Sequence, residues 1–211
     1  MSSELLINLT RDKCRIGLLK DKKLVEFHQD NDENKFSVGD IYVGKVKKIN
    51  KSLNAAFIDI GYKKDAFLHY LDLGPQFLSL KTFVKKVRSK GSKPSIGSFK
   101  KMDEINKFGK INEVLRKGDE LMIQIVKEPI STKGPRVTTE LSMAGRHLIL
   151  VSFSDAINVS KKISNREERY RLINLIKSIR PKNFGVIVRT VAEKKLVSEL
   201  DKDLKVLMKS W

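Results

Sequence analysis

A single cysteine, Cys14, stands among 211 residues, so no intramolecular disulfide can form and a cysteine-built zinc site is excluded. A lone thiol in a strand-like stretch is expected as a small buried hydrophobe. Long apolar runs are missing as well. Nothing approaches the ~20 apolar residues that a membrane-spanning helix needs, and Met1 to Asn8 has neither the basic start nor the apolar stretch of a signal peptide. The expectation is a soluble cytoplasmic protein. Acidic residues are in deficit, 25 Asp+Glu against 43 Lys+Arg, for a net charge of +18. An excess of that size favours a polyanionic partner, nucleic acid before an anionic membrane. A membrane surface would call for an amphipathic helix with a basic polar face and large aromatics, and none is apparent. The carboxylates are also poorly clustered for metal chemistry. Asp30, Asp32 and Glu33 fall in a linker, and Asp201 and Asp203 sit two apart on a predicted helix, where they point different ways. His28, His69 and His147 have no ligand or acid–base spacing. No catalytic residue is assigned.

What is present starts with strands. Leu5–Leu9, Cys14–Leu19 and Lys23–Phe27 read as three strands, with hairpin turns at Asp12-Lys13 and Lys20-Asp21. Three strands of this length bury little by themselves and call for a partner segment. After them, residues 42 to 69 hold alternating strands with a turn at Gly61-Tyr62. Ala56, Ile58 and Ile60 share one face, while Phe57 and Asp59 share the other, because side chains alternate with period two. An aromatic on the wet face among lysines is a stacking platform for unpaired bases; the other reading of Phe57 and Phe67 is packing beneath a loop. This stretch resembles the OB-type module repeated in ribosomal protein S-one. The match lies in Gly44-Lys45, Ala55-Ala56-Phe57, Asp59-Ile60-Gly61 and Ala66-Phe67-Leu68-His69.

Leu121–Lys127 reads as a strand that returns to close this module, after a turn at Gly118-Asp119. Between the two lies an insertion. From Leu73 to Met102 there is no acidic residue and eight are Lys or Arg, with loop chemistry at Gly91 to Gly97. A mobile basic loop able to grip phosphates is expected there. The two glycines do not make a phosphate-binding loop, since five residues separate them and no Lys-Ser/Thr follows. Beyond it, residues 137–143 and 147–153 read as strands. Ser164 is expected to cap a helix with Glu167 as its capping-box partner, Tyr170, Ile173, Ile176 and Ile179 forming the apolar stripe up to Pro181. Gly185–Thr190 reads as a buried strand with a polar end. A last helix from about Glu193 buries Leu196, Leu200, Leu204 and Leu207. The fold class is α+β with several domains.

The order of these segments is similar to that of the ribonuclease E/ribonuclease G endoribonucleases. The resemblance rests on Ser52–Gly61, Thr132-Lys133-Gly134, Leu141–Leu150 and Gly185–Thr190; the basic insertion between 73 and 110 is the departure. It implies a layout. Residues 1–36 would be the first strands of a split RNase H-like domain, 37–128 a five-stranded OB-fold RNA-binding domain, and 129–211 a mixed α/β sensor of RNA 5′ ends. It also implies that the aspartates binding catalytic Mg2+ lie outside this chain, which would bind single-stranded RNA without cutting it. Phe57, Phe67, Lys127 and Lys133 are thereby RNA-binding candidates, and Gly145, Ile149, Arg189 and Thr190 candidates for holding a 5′-monophosphate. Homo-oligomerisation of the full-length protein stays open. The competing reading is a stand-alone OB-fold RNA-binding protein, an RNA chaperone or ribosome-associated factor without nuclease activity.

Overall fold

A computed structural model of the chain describes residues 2–10, 13–31, 36–89, 95–130 and 133–211. The chain divides into two units, Met1–Ser37 and Val38–Trp211. The turn expected at Asp12-Lys13, the acidic linker residues Asp32 and Glu33, and the loop from Gly91 to Pro94 fall partly or wholly outside the described residues.

The first unit is an antiparallel sheet of β1 (Ser3–Leu9), β2 (Lys13–Lys20) and β3 (Lys23–Asn31). The turn between the last two is Asp21-Lys22, both with positive φ, the backbone of the two-residue turn that matches strand twist in a hairpin. Leu5, Ile7 and Leu9 lie on one face and Leu6 on the other, and both sets are exposed, Ile7 by 63% and Leu6 by 57%. One face is largely apolar, and the other sets Leu6, Leu19 and Phe27 among Glu4, Asn8, Arg15 and Gln29. Cys14 is half-buried, not the buried hydrophobe expected, because its face of the sheet is open.

In the second unit β4 (Ile41–Asn50), β5 (Ala55–Asp59), β6 (Ala66–His69), β7 (Glu120–Lys127) and β8 (Arg136–Thr138) close a barrel in the order β4-β5-β6-β8-β7. All neighbouring pairs are antiparallel except β6 with β8. This is the five-stranded Greek-key barrel of the OB-fold. The expected alternation holds: Ala56 and Ile58 are fully buried inside while Phe57 faces outward. The closing strand β8 lies past residue 128, so the barrel extends beyond that expected boundary.

The expected mobile basic loop is corrected. Phe77–Arg88 is a helix, α1, which buries Phe77, Leu80, Phe83 and Val84. These recur at helical spacing. A 3-10 turn at Ile96–Ser98 follows, and then a one-turn helix α2, Ile111–Val114. Phe83, Phe99 and Phe153 meet edge-to-face with centroids 5.5–5.6 Å apart. Among the described residues three of the insertion's charges are paired, Lys81 with Asp119 at 2.6 Å, Arg88 with Glu120 and Lys101 with Asp155, and Lys86 lies over the Phe99 ring.

Phe153 belongs to the remaining layer, a sheet in the order β11-β12-β10-β9 built from β9 (Ser142–Ala144), β10 (Leu148–Ser152), β11 (Ile157–Val159) and β12 (Phe184–Val188). Helices α3 (Arg166–Ile179) and α4 (Val197–Ser210) complete it. The cap of α3 is Asn165, accepting from the Glu168 N–H at 3.0 Å, in place of the Ser164–Glu167 box expected. The turn thus begins one residue later, and Leu172 and Ile176 face the core while Tyr170 is exposed. In α4 Leu200, Leu204 and Leu207 are buried, but Leu196 is the exposed residue before the first turn. A buried Gln124 on β7 joins barrel to sheet. Its amide accepts the Ser142 N–H at 2.9 Å and donates to the Ser142 carbonyl at 2.7 Å and the Gly39 carbonyl at 2.9 Å. Phe83→Ala is expected to cost about 3–5 kcal/mol in urea denaturation, since the vacated space lies amid the two other rings; a loss like that of an exposed-loop substitution would contradict the packing.

Candidate nucleic-acid interface

Phe57 and Phe67 sit directly opposite each other on β5 and β6. Their rings meet edge-to-face, centroids 5.9 Å apart, half-buried on the outside of the barrel. Neither is buried beneath a loop. Around them Leu53, Lys64, Lys127, Ile130, Lys133 and Arg136 line a groove of about 710 Å³. All four RNA-binding candidates named from the sequence therefore come together on one surface. Lys127 closes β7, where the register shifts against β8 and places it opposite Arg136. Lys133 is held by a short bridge with Ile130 (N–H to carbonyl, 2.9 and 3.2 Å) and by Gly134. A Cβ on Gly134 would strike the Asp65 carbonyl, so only glycine lets this backbone lie against the 64–67 segment. The Phe67 N–H then donates to the Pro135 carbonyl at 2.8 Å. Thr132, named with Lys133 and Gly134 in the sequence pattern, lies outside the described residues.

Lys64, Arg136, Leu53 and Ile130 went unrecognised in the sequence. Nothing local marks Arg136: it reaches the groove only through the parallel pairing of β8 with Phe67 of β6. Its guanidinium forks onto Asp72 at 2.9 and 3.0 Å, which fixes its plane. Asp65 is paired with Lys47 at 3.0 Å, whereas Lys64, Lys127 and Lys133 form no ion pair among the described residues. The groove, which also carries Glu128, thus joins apolar ring surface to an excess of positive charge, a combination suited to single-stranded nucleic acid through stacking and counterion release.

The second cluster lies at one end of the four-stranded sheet. Leu148, Leu150, Val186 and Val188 point into the core, so their alternates Ile149 and Ile187, paired across β10 and β12, line the outer face together. Arg189 leaves β12 two residues after Ile187. Its backbone N–H donates to the His147 carbonyl at 2.9 Å, and Nη1 donates to the Gly145 carbonyl at 2.6 Å. The Thr190 hydroxyl meets the Ser160 hydroxyl at 2.9 Å. Arg189 and Gly145 are thus in direct contact, Ile149 borders them through the β10–β12 pairing, and Thr190 adjoins Arg189 with its hydroxyl turned to Ser160. Ser160 had no sequence signal. The exposed guanidinium reaches toward the β9–β10 turn and the Thr190 hydroxyl toward the end of β11, and both groups are donors of the kind a phosphate accepts from.

Glu168 of α3 steadies the segment after Thr190. It takes Arg171 at 2.6 and 2.7 Å and the Lys194 N–H at 2.7 Å. The Arg171 guanidinium foremost holds its pKa at about 2, below the ordinary 4.5. A carboxyl depressed on folding adds stability above its unfolded pKa and loses it as pH falls toward the folded one. Glu168→Gln is expected to lower the melting temperature at pH 7, and the difference from wild type should vanish as pH falls from about 4.5 to about 2. A difference that persists unchanged at the acid end would contradict the pairing.

Among the described residues no group of three or more His, Cys, Asp or Glu side chains is gathered to hold a metal ion, and no helix is long and apolar enough to cross a membrane. His69 accepts the Leu71 N–H at 3.2 Å, and Asp201 pairs with Lys205 at 2.6 Å.

Comparison with known proteins places these two clusters in context. Residues 142–211 match the model of the Ribonuclease E/G family. The chain is similar to ribonuclease G of Haemophilus influenzae, 33% identical over 99% of this chain and 39% of the relative. It is similar to ribonuclease G of Escherichia coli K12, 32% identical over 100% of this chain and 40% of the relative. Against ribonuclease E of Synechocystis it is 37% identical over 82% of this chain and 22% of the relative. The chain thus spans about two fifths of the length of the ribonuclease G relatives it matches.

Proposed function

The chain belongs to the ribonuclease E/G family, and from that premise we propose that it is the RNA-binding region of an endoribonuclease that cuts single-stranded RNA in processing and decay. The observation that carries this reading is the groove in which Phe57, Phe67, Lys127 and Lys133 converge. A base stacks against the aromatic pair while the lysines meet the flanking phosphates. The Arg189 guanidinium and Thr190 hydroxyl hold a 5′-monophosphate, Gly145 orients the guanidinium, and Ile149 packs on the terminal nucleotide. Selectivity follows from charge, because a 5′-hydroxyl end offers the guanidinium nothing to fork onto.

The layout is proposed in the same terms. Residues 1–36 are strands of a split RNase H-like domain, a role supported by the exposed, largely apolar sheet face that carries Leu5, Ile7 and Leu9. The OB-fold domain and the 5′-sensor follow. Catalytic Mg2+ is assigned to aspartates elsewhere in the full protein. This chain alone binds RNA and does not cleave it.

The experiment is fluorescence anisotropy at fixed salt with two short RNAs that differ only in a 5′-monophosphate or 5′-hydroxyl end. Wild type is expected to prefer the monophosphate, and Arg189→Ala to erase the preference. Equal binding of both RNAs, with salt as the only lever, would instead favour a general RNA-binding protein. On either RNA, Phe57→Ala is expected to weaken binding by about 1–3 kcal/mol, the contribution of one base–aromatic stack; unchanged affinity would remove Phe57 from the interface.

A further inference from the structure

The phosphate-binding role of Arg189 leaves unexplained what holds Arg189 itself. The Gly145 carbonyl that fixes its guanidinium belongs to a tight turn, in which the Gly145 N–H donates to the Leu148 carbonyl at 2.8 Å. That turn is organised from across the domain by one side chain. Asp203, in the middle of α4, accepts three successive backbone N–H groups, from Arg146 at 3.1 Å, His147 at 2.8 Å and Leu148 at 2.9 Å. A Cβ on Gly145 would lie 2.7 Å from both Asp203 carboxylate oxygens, so the glycine and the carboxylate occupy mutually exclusive space. The helix carrying Asp203 is anchored by Leu200, Leu204 and Leu207, which flank it in the core.

We propose that Asp203 is a positioning residue for 5′-end recognition, acting on the terminal phosphate through the Gly145–Leu148 turn and the Arg189 guanidinium. This rests on the reading of Arg189 and Thr190 as the phosphate contacts. The charge-assisted bonds fix the turn, and the turn's carbonyl fixes the guanidinium. A long side chain that otherwise samples many rotamers is thus held in one arrangement before RNA arrives, which lowers the entropic cost of capture. The anionic charge of the half-buried carboxylate is met by three backbone N–H dipoles, which offset its repulsion of a phosphate. Asp203 therefore favours phosphate binding despite its sign.

The test compares Asp203→Ala and Asp203→Asn with wild type and Arg189→Ala, using the same two RNAs and a melting curve for each variant. Asp203→Ala is expected to lower the ratio of monophosphate to hydroxyl affinity about fivefold or more, with 5′-hydroxyl binding unchanged. Asp203→Asn keeps one oxygen for the His147 and Leu148 N–H groups and should fall between. In the Arg189→Ala background, Asp203→Ala should leave the affinity for both RNAs unchanged, whereas a merely structural role would lower both. A wild-type ratio in folded Asp203→Ala overturns the proposal, as does an equal loss on both RNAs or an additive effect in the double variant. Tighter monophosphate binding by Asp203→Asn overturns it too, since it would mean the carboxylate only repels. If Asp203→Ala does not fold, a wild-type ratio in Asp203→Asn overturns it and a reduced one supports it. Wild type without any monophosphate preference removes the phosphate pocket and this role together, whereas a preference that survives loss of Asp203 removes only the role.

Discussion

Closure of the barrel by the three residues Arg136–Thr138 is the constraint on which both surfaces depend. This strand pairs in parallel with β6 and antiparallel with β7, so it completes backbone hydrogen bonding that would otherwise leave two open edges. The same pairing delivers Arg136 to Phe67 and sets Lys127 and Lys133 beside the rings. Leaving the barrel, the chain is held again at once: the Thr138 and Thr139 hydroxyls donate to the Asp72 and Leu73 carbonyls at 2.7 and 2.5 Å. It then enters β9, the edge of the sheet that bears Arg189.

The second constraint is the helix inserted between barrel strands. Phe83 and Val84 of α1 share one core with Phe153, Val186 and Leu204 of the sheet and its helix. The buried Asn183 side chain reinforces the junction by donating to the Ile96 and Phe99 carbonyls, both at 2.7 Å. An amide satisfied twice in the interior is costly to separate, because each abandoned carbonyl would lose its partner away from water. Together with the Gln124 amide on Ser142, this core fixes barrel and sheet to each other. The aromatic groove and the guanidinium cluster are therefore surfaces of a single packed body.

In the proposed reading the two clusters divide the chemistry of one ligand. The groove joins aromatic faces to lysines that form no ion pair among the described residues, a combination that would tolerate any base. At the sheet's end an arginine is immobilised by a carbonyl and a hydroxyl by a second hydroxyl, an arrangement that demands a particular geometry from what it binds. In that reading affinity and selectivity rest on different residues.

Much of this was legible in the sequence because it depends on local alternation and on residue chemistry. Period-two patterning put Phe57 outside and Ala56 and Ile58 inside; the charge balance pointed to a polyanion; and the motif Gly185–Thr190 marked the strand that carries Arg189. What failed did so where distant packing outweighs local signals. In Phe77–Arg88 the lysines and nearby glycines suggested a loop, yet Phe77, Leu80, Phe83 and Val84 are helically spaced, and the sheet supplies the surface that makes burying them favourable. The cap of α3 moved by one residue because Asn165, not Ser164, meets the Glu168 N–H. Arg136, Ser160 and Asp203 carry no local mark, since their roles exist only through partners 64, 30 and at least 55 residues away in the chain. The sequence by itself determined the inward and outward faces of β5 and the charge the chain brings, for these follow from strand period and residue chemistry. Only the tertiary structure decided which of them meet, because contacts between distant residues depend on register, barrel closure and a shared core that no local pattern encodes.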